Sequence, residues 1–116
     1  MAKEKRRTPR IQPFVAPCRY VLGERRLPGF LTDISRGGGR VQTEAAVPAV
    51  GALVTVEARL GRQALPVRLR ATVRWVGAAP RGGSVFGVSF EGIGPDERAV
   101  LDGVVAEFER RAASIE

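Results

Sequence analysis

The chain has 116 residues, of which 44% are hydrophobic and 27% charged, and its formal net charge is +7. These values are typical of one soluble globular domain with a modest core. The sequence has one cysteine and no histidine, which excludes an internal disulfide and removes the commonest general base and metal ligand. We therefore expect a protein that is not an enzyme and that holds neither a metal nor a cofactor.

The hydropathy of the chain predicts a cytoplasmic protein without membrane insertion. No apolar run approaches the roughly 20 residues that a membrane-spanning helix requires. The basic start is followed by proline and glutamine, not by the apolar segment of a secretory signal peptide.

Residues 1–12 are predicted to form a flexible basic arm, and residues 13–116 a single folded domain. Guanidinium groups match phosphate oxygens and the O6 and N7 atoms of guanine, and their flat faces stack on bases. Five cations against one acid give the arm a net charge of +4, which leaves +3 for the rest of the chain. The arm therefore predicts an anionic partner. Its cations are Lys3, Lys5, Arg6, Arg7 and Arg10.

Six segments of the folded domain have the composition and alternation of strands. They are 14–22, 27–34, 39–43, 54–60, 67–75 and 85–90. Pro17 predicts a sheet edge or a bulge in the first segment, and Cys18 is expected to be a small core residue. The alternation in 67–75 is the cleanest and places Trp75 at the end of its inward face, so we expect Trp75 in the core. The regular spacing of the segments indicates a small barrel or sandwich.

The stretch Asp33-Ile34-Ser35-Arg36-Gly37-Gly38-Gly39 lies between the second and third segments. Three consecutive glycines permit positive φ and allow a ligand or another backbone to approach closely. Asp33 and Ser35 are two residues apart and so lie on one side of an extended chain. Taken alone, these features favour a hairpin turn in which both side chains bond their own backbone.

The last segment changes to helical periodicity. Pro95 followed by two acids is typical of a helix start, and a helix over about 95–113 is predicted. We expect its apolar stripe to lie against the strands or to pair with a second copy in a homodimer. The stripe consists of Val100, Leu101, Val104, Val105 and Phe108.

The arm and the glycine-rich stretch together resemble the PilZ domain family, which binds the bacterial second messenger cyclic di-GMP. The family's signature is Arg-x-x-x-Arg near the amino terminus, followed about twenty to thirty residues later by Asp/Asn-x-Ser-x-x-Gly. Arg6-Arg7-Thr8-Pro9-Arg10 and Asp33-Ile34-Ser35-Arg36-Gly37-Gly38 match both halves in order and spacing. The resemblance implies a mainly β fold, a six-stranded antiparallel split β-barrel with a C-terminal α-helix.

The resemblance also implies roles for the arm. Arg6 and Arg10 would hold phosphates and guanine edges and stack on the bases, with Arg7 as a supporting cation. In the family, the residue before the arginine motif influences whether one ligand molecule or a stacked dimer binds. Lys5 stands at that position and supplies charge, although it does not stack as a guanidinium does, and we expect the dimer.

The second half of the signature implies the remaining site residues. Asp33 would accept hydrogen bonds from guanine N1 and N2, which selects guanine over adenine, and Ser35 would add a further hydrogen bond. Gly37 and Gly38 would keep the turn open for the base. The expected function is a cyclic di-GMP receptor whose arm becomes ordered on binding and which signals to a downstream protein.

Two alternatives remain open. A small nucleic-acid-binding barrel would suit the basic arm and Arg68, Arg70 and Arg74, which are otherwise expected to be a solvated strand face. Nucleic acid is the less expected partner because exposed aromatic platforms are not evident in the sequence. The other alternative is a PilZ-like protein-interaction module that does not bind the nucleotide, although this chain keeps the arginines that such members have lost.

Overall fold

The computed structural model describes residues 16–61 and 65–115, apart from the side chains of residue 108 and residues 111–115. The described residues form the strands β1 (Ala16–Leu22), β2 (Arg25–Ile34), β3 (Gly38–Thr43), β4 (Leu53–Ala58), β5 (Val67–Ala78) and β6 (Ser84–Phe90), followed by the helix α1 (Pro95–Ile115). The six predicted strands and the C-terminal helix are confirmed, with small differences at their ends. The predicted arm lies outside the described residues.

The six strands form a closed antiparallel barrel in the order β1-β2-β3-β6-β5-β4, with β4 pairing back to β1. This confirms the predicted mainly β architecture. Pro17 pairs with Phe30 of β2, but the ladder between β1 and β4 begins only at Cys18. Since proline has no N–H to donate, its place at this end of the strand leaves no ladder bond unmade.

The barrel is filled by the inward side chains of all six strands. Tyr20 and Phe86 are fully buried and meet edge to face, with ring centroids 5.1 Å apart and planes at 71°. The Tyr20 hydroxyl donates to the Ala46 carbonyl at 2.5 Å and lies 3.1 Å from Thr43 Oγ1. Because a buried hydroxyl needs a partner, these contacts let an amphipathic ring fill the core. Other fully buried side chains are Leu31, Val41, Val56, Leu69 and Val73.

Glu57 of β4 faces outward, as the alternation predicts, yet its side chain is only 7% exposed. Two arginines cover it, with Arg26 Nη2 2.9 Å from Glu57 Oε1 and Arg68 Nε 3.1 Å from Glu57 Oε2. One carboxylate thus joins β2, β4 and β5 on the outer surface, and its burial is compensated by charge-assisted hydrogen bonds. Arg68 remains largely exposed, as expected of the strand face.

The helix α1 begins at Pro95 with Asp96 and Glu97 in its first turn, where acids favour the positive end of the helix dipole. Leu101 is fully buried and Val105 nearly so, and Val104 packs at the margin of the barrel core. The described part of the apolar stripe therefore packs against the barrel of its own chain. The described helical residues include no apolar stretch long enough to span a membrane.

Candidate functional site

A β-bulge in β2 turns Asp33 to the outer surface. Leu31 pairs with Val41, but the next pair is Asp33 with Arg40, which leaves Thr32 without an opposite residue. A bulge adds one residue to one strand and so reverses which face the following side chains occupy. Leu31 is consequently buried, whereas the Asp33 side chain is 51% exposed. The bulge places the predicted guanine-selecting carboxylate where a ligand can reach it.

Arg40 adjoins the candidate site and is not among the residues that the sequence motifs predict. Its Nη2 atom lies 2.9 Å from Asp33 Oδ2, and both side chains are half-exposed. An exposed ion pair of this kind contributes only about 0.2–1 kcal/mol, so a ligand can displace it at little cost. The hairpin predicted from the sequence indicates this pair, because residues on either side of a tight turn, here Asp33 and Arg40, face each other across the two strands.

Ser35 stabilises the turn between β2 and β3. Its backbone N–H donates to the Gly38 carbonyl at 2.8 Å, and its Oγ accepts the N–H groups of Gly37 at 3.3 Å and Gly38 at 3.2 Å. The hydroxyl also donates to the Gly38 carbonyl at 3.2 Å. The expectation that Ser35 bonds its own turn is confirmed, whereas Asp33 pairs with a side chain instead. Since the Gly38 carbonyl keeps its bond from the backbone, the hydroxyl proton is free to turn towards a ligand.

Two of the three consecutive glycines are needed for close approach of the backbone, and positive φ explains none of the three. None of them is among the glycines of the described chain with positive φ. A Cβ atom on Gly38 would lie 2.1 Å from the Val88 carbonyl oxygen, and one on Gly39 would lie 2.7 Å from that of Asp33. A Cβ on Gly37 would meet nothing within 4 Å. Gly38 and Gly39 therefore pack against backbone, and Gly37 borders open space.

Trp75 is on the outer surface, and the prediction that it belongs to the core is wrong. The pairing of β5 with β6 shifts between Val73 and Trp75, so that a bulge at Arg74 interrupts the alternation. Val73 remains buried while Trp75 is 43% exposed. The indole covers Gly87 of β6, where an added Cβ would lie only 2.1 Å from Trp75 Nε1.

The site continues into α1 through the turn. Arg36 Nε lies 3.2 Å from Asp102 Oδ1, and Arg36 Nη1 lies 3.9 Å from Glu109 Oε2. Arg98 Nη1 in turn donates to the Arg36 carbonyl at 2.8 Å. These contacts join the turn that carries Ser35 to the outer side of the helix.

The four predicted arm residues, Lys5, Arg6, Arg7 and Arg10, lie outside the described residues. The described chain begins with β1 at Ala16, which pairs with Leu31 of β2. Leu31 is two residues from Asp33. The chain therefore enters the barrel at the end of β2 that carries the exposed carboxylate.

A groove of about 970 Å³ is lined by residues of β1, β2, β3 and β4 and of the segments that follow β3 and β4. It contains none of the predicted site residues. Its lining includes Arg19, Phe30, Gln42, Glu44 and Arg59. Phe30 is half-exposed, so the outer face carries a second open aromatic ring besides Trp75.

Solved structures with the same fold include PilZ domains. The chain is similar to the Bacillus subtilis inhibitor of motility MotI/DgrA, with a TM-score of 0.68 and 16% identity over 85% of this chain. It is also similar to the c-di-GMP-carrying PilZ domain of YcgR from Escherichia coli, with a TM-score of 0.65 and 21% identity over 92% of this chain. A third similar structure is the PilZ domain of CeSA from a cellulose-synthesizing bacterium, with a TM-score of 0.62 and 17% identity over 84% of this chain. At sequence identities of 16–21%, the structural similarity establishes the fold alone.

The chain spans about half (49%) of the MotI/DgrA structure but 89% of the YcgR domain and 96% of the CeSA domain. No curated protein matches it by sequence. The PilZ domain family matches residues 4–107, a range that includes the arginine motif as well as the turn between β2 and β3. With most of its length matched and its barrel shared with solved PilZ domains, the chain belongs to the PilZ domain family.

Proposed function

We propose that the chain is a cyclic di-GMP receptor or adaptor domain that signals to a protein partner. The observation that carries the proposal is the half-exposed carboxylate of Asp33, turned outward by the bulge at Thr32 beside the Ser35 turn. Membership of the PilZ family and the similarity to the c-di-GMP-carrying domain of YcgR support the identity of the ligand.

The chemistry of the site suits a guanine base. Asp33 accepts hydrogen bonds from guanine N1 and N2, whereas adenine has an acceptor at N1 and no amino group at C2. Ser35 adds a hydrogen bond, and the open space at Gly37 admits the base. Arg6 and Arg10 neutralise the phosphates, and the first described residue after them, Ala16, pairs with Leu31 near Asp33.

The contacts between the turn and α1 supply a route from ligand to partner. A base that binds Ser35 and borders Gly37 also lies next to Arg36. Its binding therefore alters the position of the Arg36 side chain, which pairs with Asp102. The helix surface and the newly ordered arm then present a different face to a partner protein. This output requires the bound and free states to differ at Arg36 and α1, since a ligand shifts only an equilibrium between states that it binds unequally.

Isothermal titration of the full chain with cyclic di-GMP tests the proposal. We expect saturable binding that is lost in Arg6→Ala and in Asp33→Ala, and a stoichiometry of two ligands per chain if the ligand binds as a stacked dimer. Glu24→Ala is the matched control, because Glu24 is an exposed carboxylate in the turn at the opposite end of β2. Cyclic di-AMP should give no heat. Absence of binding by the folded wild-type protein at high micromolar cyclic di-GMP would overturn the proposal.

The exposed rings of Trp75 and Phe30 favour a second candidate function, the binding of single-stranded nucleic acid. Aromatic platforms beside arginines are the usual elements of such sites. An oligonucleotide titration separates the two functions. Nucleic-acid affinity falls steeply with salt and is little affected by Asp33→Ala, whereas a guanine-selective site depends on that carboxylate.

A further inference from the structure

We propose that the outer face of β1, β2 and β4 is the docking surface for an acidic segment of a partner protein. An apolar side chain of that segment enters the groove beside Phe30, and its carboxylates pair with Arg19 and Arg59. This inference rests on the proposed function in one respect, since it names the kind of protein to which the receptor signals. The surface itself is separate from the Asp33 turn, because the groove contains none of the residues of that turn.

The groove contains an apolar pocket around Phe30. This side chain is 50% exposed, although Gly29 and Leu31 on either side of it are buried. Phe30 pairs with Pro17 of β1, and residues opposite each other on neighbouring strands point to the same side of a sheet. Pro28 is two residues from Phe30 on the same face and also lines the groove. Two prolines and an open phenylalanine ring form the kind of pocket that receives a large apolar side chain of a partner.

Arg19 and Arg59 border this pocket on the side of β1 and β4. Arg19 is exposed and lies opposite Glu57 in the ladder between these strands. The Glu57 carboxylate does not pair with Arg19, because Arg26 engages its Oε1 atom and Arg68 its Oε2 atom. Among the described residues, none forms a hydrogen bond or an ion pair with the side chain of Arg19 or of Arg59. Two guanidinium groups beside the pocket are therefore available to carboxylates of another chain.

The charge of the surrounding face also favours an acidic partner. Five exposed arginines lie on or directly beside β1, β2, β4 and β5, around the one covered carboxylate of Glu57. Such a face attracts an acidic partner and gives the association a strong dependence on salt. The chain's own residues 1–12 carry a net charge of +4 and so do not complement this face. The five arginines are Arg19, Arg26, Arg59, Arg68 and Arg70.

Glu44 distinguishes a protein segment from a nucleic acid as the occupant. It is exposed and lines the groove on the side of β3, whereas Arg59 lines it on the side of β4. A nucleic acid carries a phosphate at every nucleotide, so a strand crossing the groove would bring a phosphate against this carboxylate. Single-stranded nucleic acid also stacks successive bases on several aromatic rings, and Phe30 is the one aromatic side chain among the described lining residues. A protein segment that is acidic at one end and apolar at the other fits both features.

The test uses a short fluorescein-labelled peptide in which a run of glutamates is followed by a phenylalanine. The full chain is titrated into this peptide, and fluorescence anisotropy is measured. We expect a saturable rise that weakens as salt is added. Phe30→Ala should weaken binding roughly tenfold or more, and Arg19→Ala and Arg59→Ala should each weaken it about two- to fivefold.

Controls separate the groove from a general attraction between charges. Arg74→Ala removes an arginine of similar exposure that lies on β5 and pairs with Glu91, so the affinity should stay within about twofold. A peptide with serine in place of the phenylalanine should bind roughly tenfold more weakly. A peptide with lysines in place of the glutamates should give no rise of anisotropy. Circular dichroism and thermal unfolding establish that each variant is folded.

The outcomes distinguish this inference from the function on which it rests. Heat of binding with cyclic di-GMP, but no rise of anisotropy with the acidic peptide, overturns the docking surface and leaves the receptor function intact. Binding of the peptide without heat from cyclic di-GMP overturns the receptor function and supports the surface. Unchanged peptide affinity in Phe30→Ala overturns the role of the groove.

Two other occupants are tested in the same way. Tighter binding of labelled oligothymidylate, lost in Phe30→Ala and Arg19→Ala, would assign the surface to single-stranded nucleic acid and overturn the proposal. A dimer in analytical ultracentrifugation that dissociates in Phe30→Ala would assign the groove to a second copy of the chain, and would overturn it as well.

Discussion

Gly37 and Gly38 are adjacent in the motif, but the structure gives them different roles. A side chain at Gly38 collides with the backbone of Val88, which cannot move aside as a flexible side chain does. We therefore predict that Gly38→Ala lowers the free energy of unfolding by about 1–3 kcal/mol. Gly37→Ala is the matched control and should change it by no more than about 0.5 kcal/mol. Urea denaturation of both variants measures the difference, and equal stabilities would contradict the assigned packing role of Gly38.

Cys18 should be chemically inert while the chain is folded. The residue is 6% exposed, and burial raises the pKa of its thiol from 9.0 to about 11. Since the thiolate is the reactive form, we predict slow alkylation by iodoacetamide near about pH 8 and a many-fold faster reaction in urea. Equal rates in the two conditions would contradict this environment.

The raised pKa of the Cys18 thiol also predicts that the free energy of unfolding changes with pH. The unfolded chain releases the thiol proton at a lower pH than the folded chain does. The free energy of unfolding should therefore fall as pH rises from about 9 to about 11. Cys18→Ala removes the titrating group, so the slope in this window should be smaller in that variant.

At the scale of the strands, periodicity predicts where the elements lie, but bulges decide which side chains reach the surface. The six strands, the helix and the turn at Ser35 all follow from alternation and turn residues in the sequence. The orientations of Asp33 and Trp75 do not. Asp33 follows a bulge at Thr32, and Trp75 follows a bulge at Arg74. Glycine often marks a bulge in a sequence, but neither of these positions is a glycine. The bulges are set by the pairing with neighbouring strands, which a single strand's pattern does not contain.

The helix illustrates a second limit of local patterns. The apolar stripe of α1 identifies which residues are buried but not the surface that covers them, so the sequence leaves both the barrel and a second copy open. Leu101 is fully buried within its own chain, which assigns the stripe to the barrel. The pairing of Arg36 with Asp102 is likewise invisible in the sequence, because the two residues are 66 positions apart.

For the whole molecule, the proposed site lies where three described parts of the chain converge. β1 begins at Ala16 opposite Leu31, the turn between β2 and β3 carries Asp33 and Ser35, and α1 is held to that turn by Arg36 and its partners. Of the net charge of +7, +4 belongs to residues 1–12, and we expect these cations to attract the proposed anionic ligand. Ligand binding is therefore expected to stabilise the whole fold and not the turn alone.

We predict that cyclic di-GMP raises the melting temperature of the chain. At a ligand concentration of about 100 times the dissociation constant, binding adds about 2.7 kcal/mol to stability, which for a domain of this size is a shift on the order of 10 °C. Differential scanning fluorimetry with an external dye measures the shift. Cyclic di-AMP at the same concentration is the control.

Asp33→Ala separates this stabilisation from the intrinsic stability of the barrel. Its carboxylate is half-exposed and pairs with the similarly exposed Arg40, so the ligand-free melting temperature should change little. The shift with cyclic di-GMP should nevertheless disappear, because the guanine loses its acceptor. Arg10→Ala should reduce the shift in the same way through the arm. A full shift in both variants would mean that the ligand binds elsewhere, since a motif that does not contact the ligand cannot contribute to its differential affinity for the folded state.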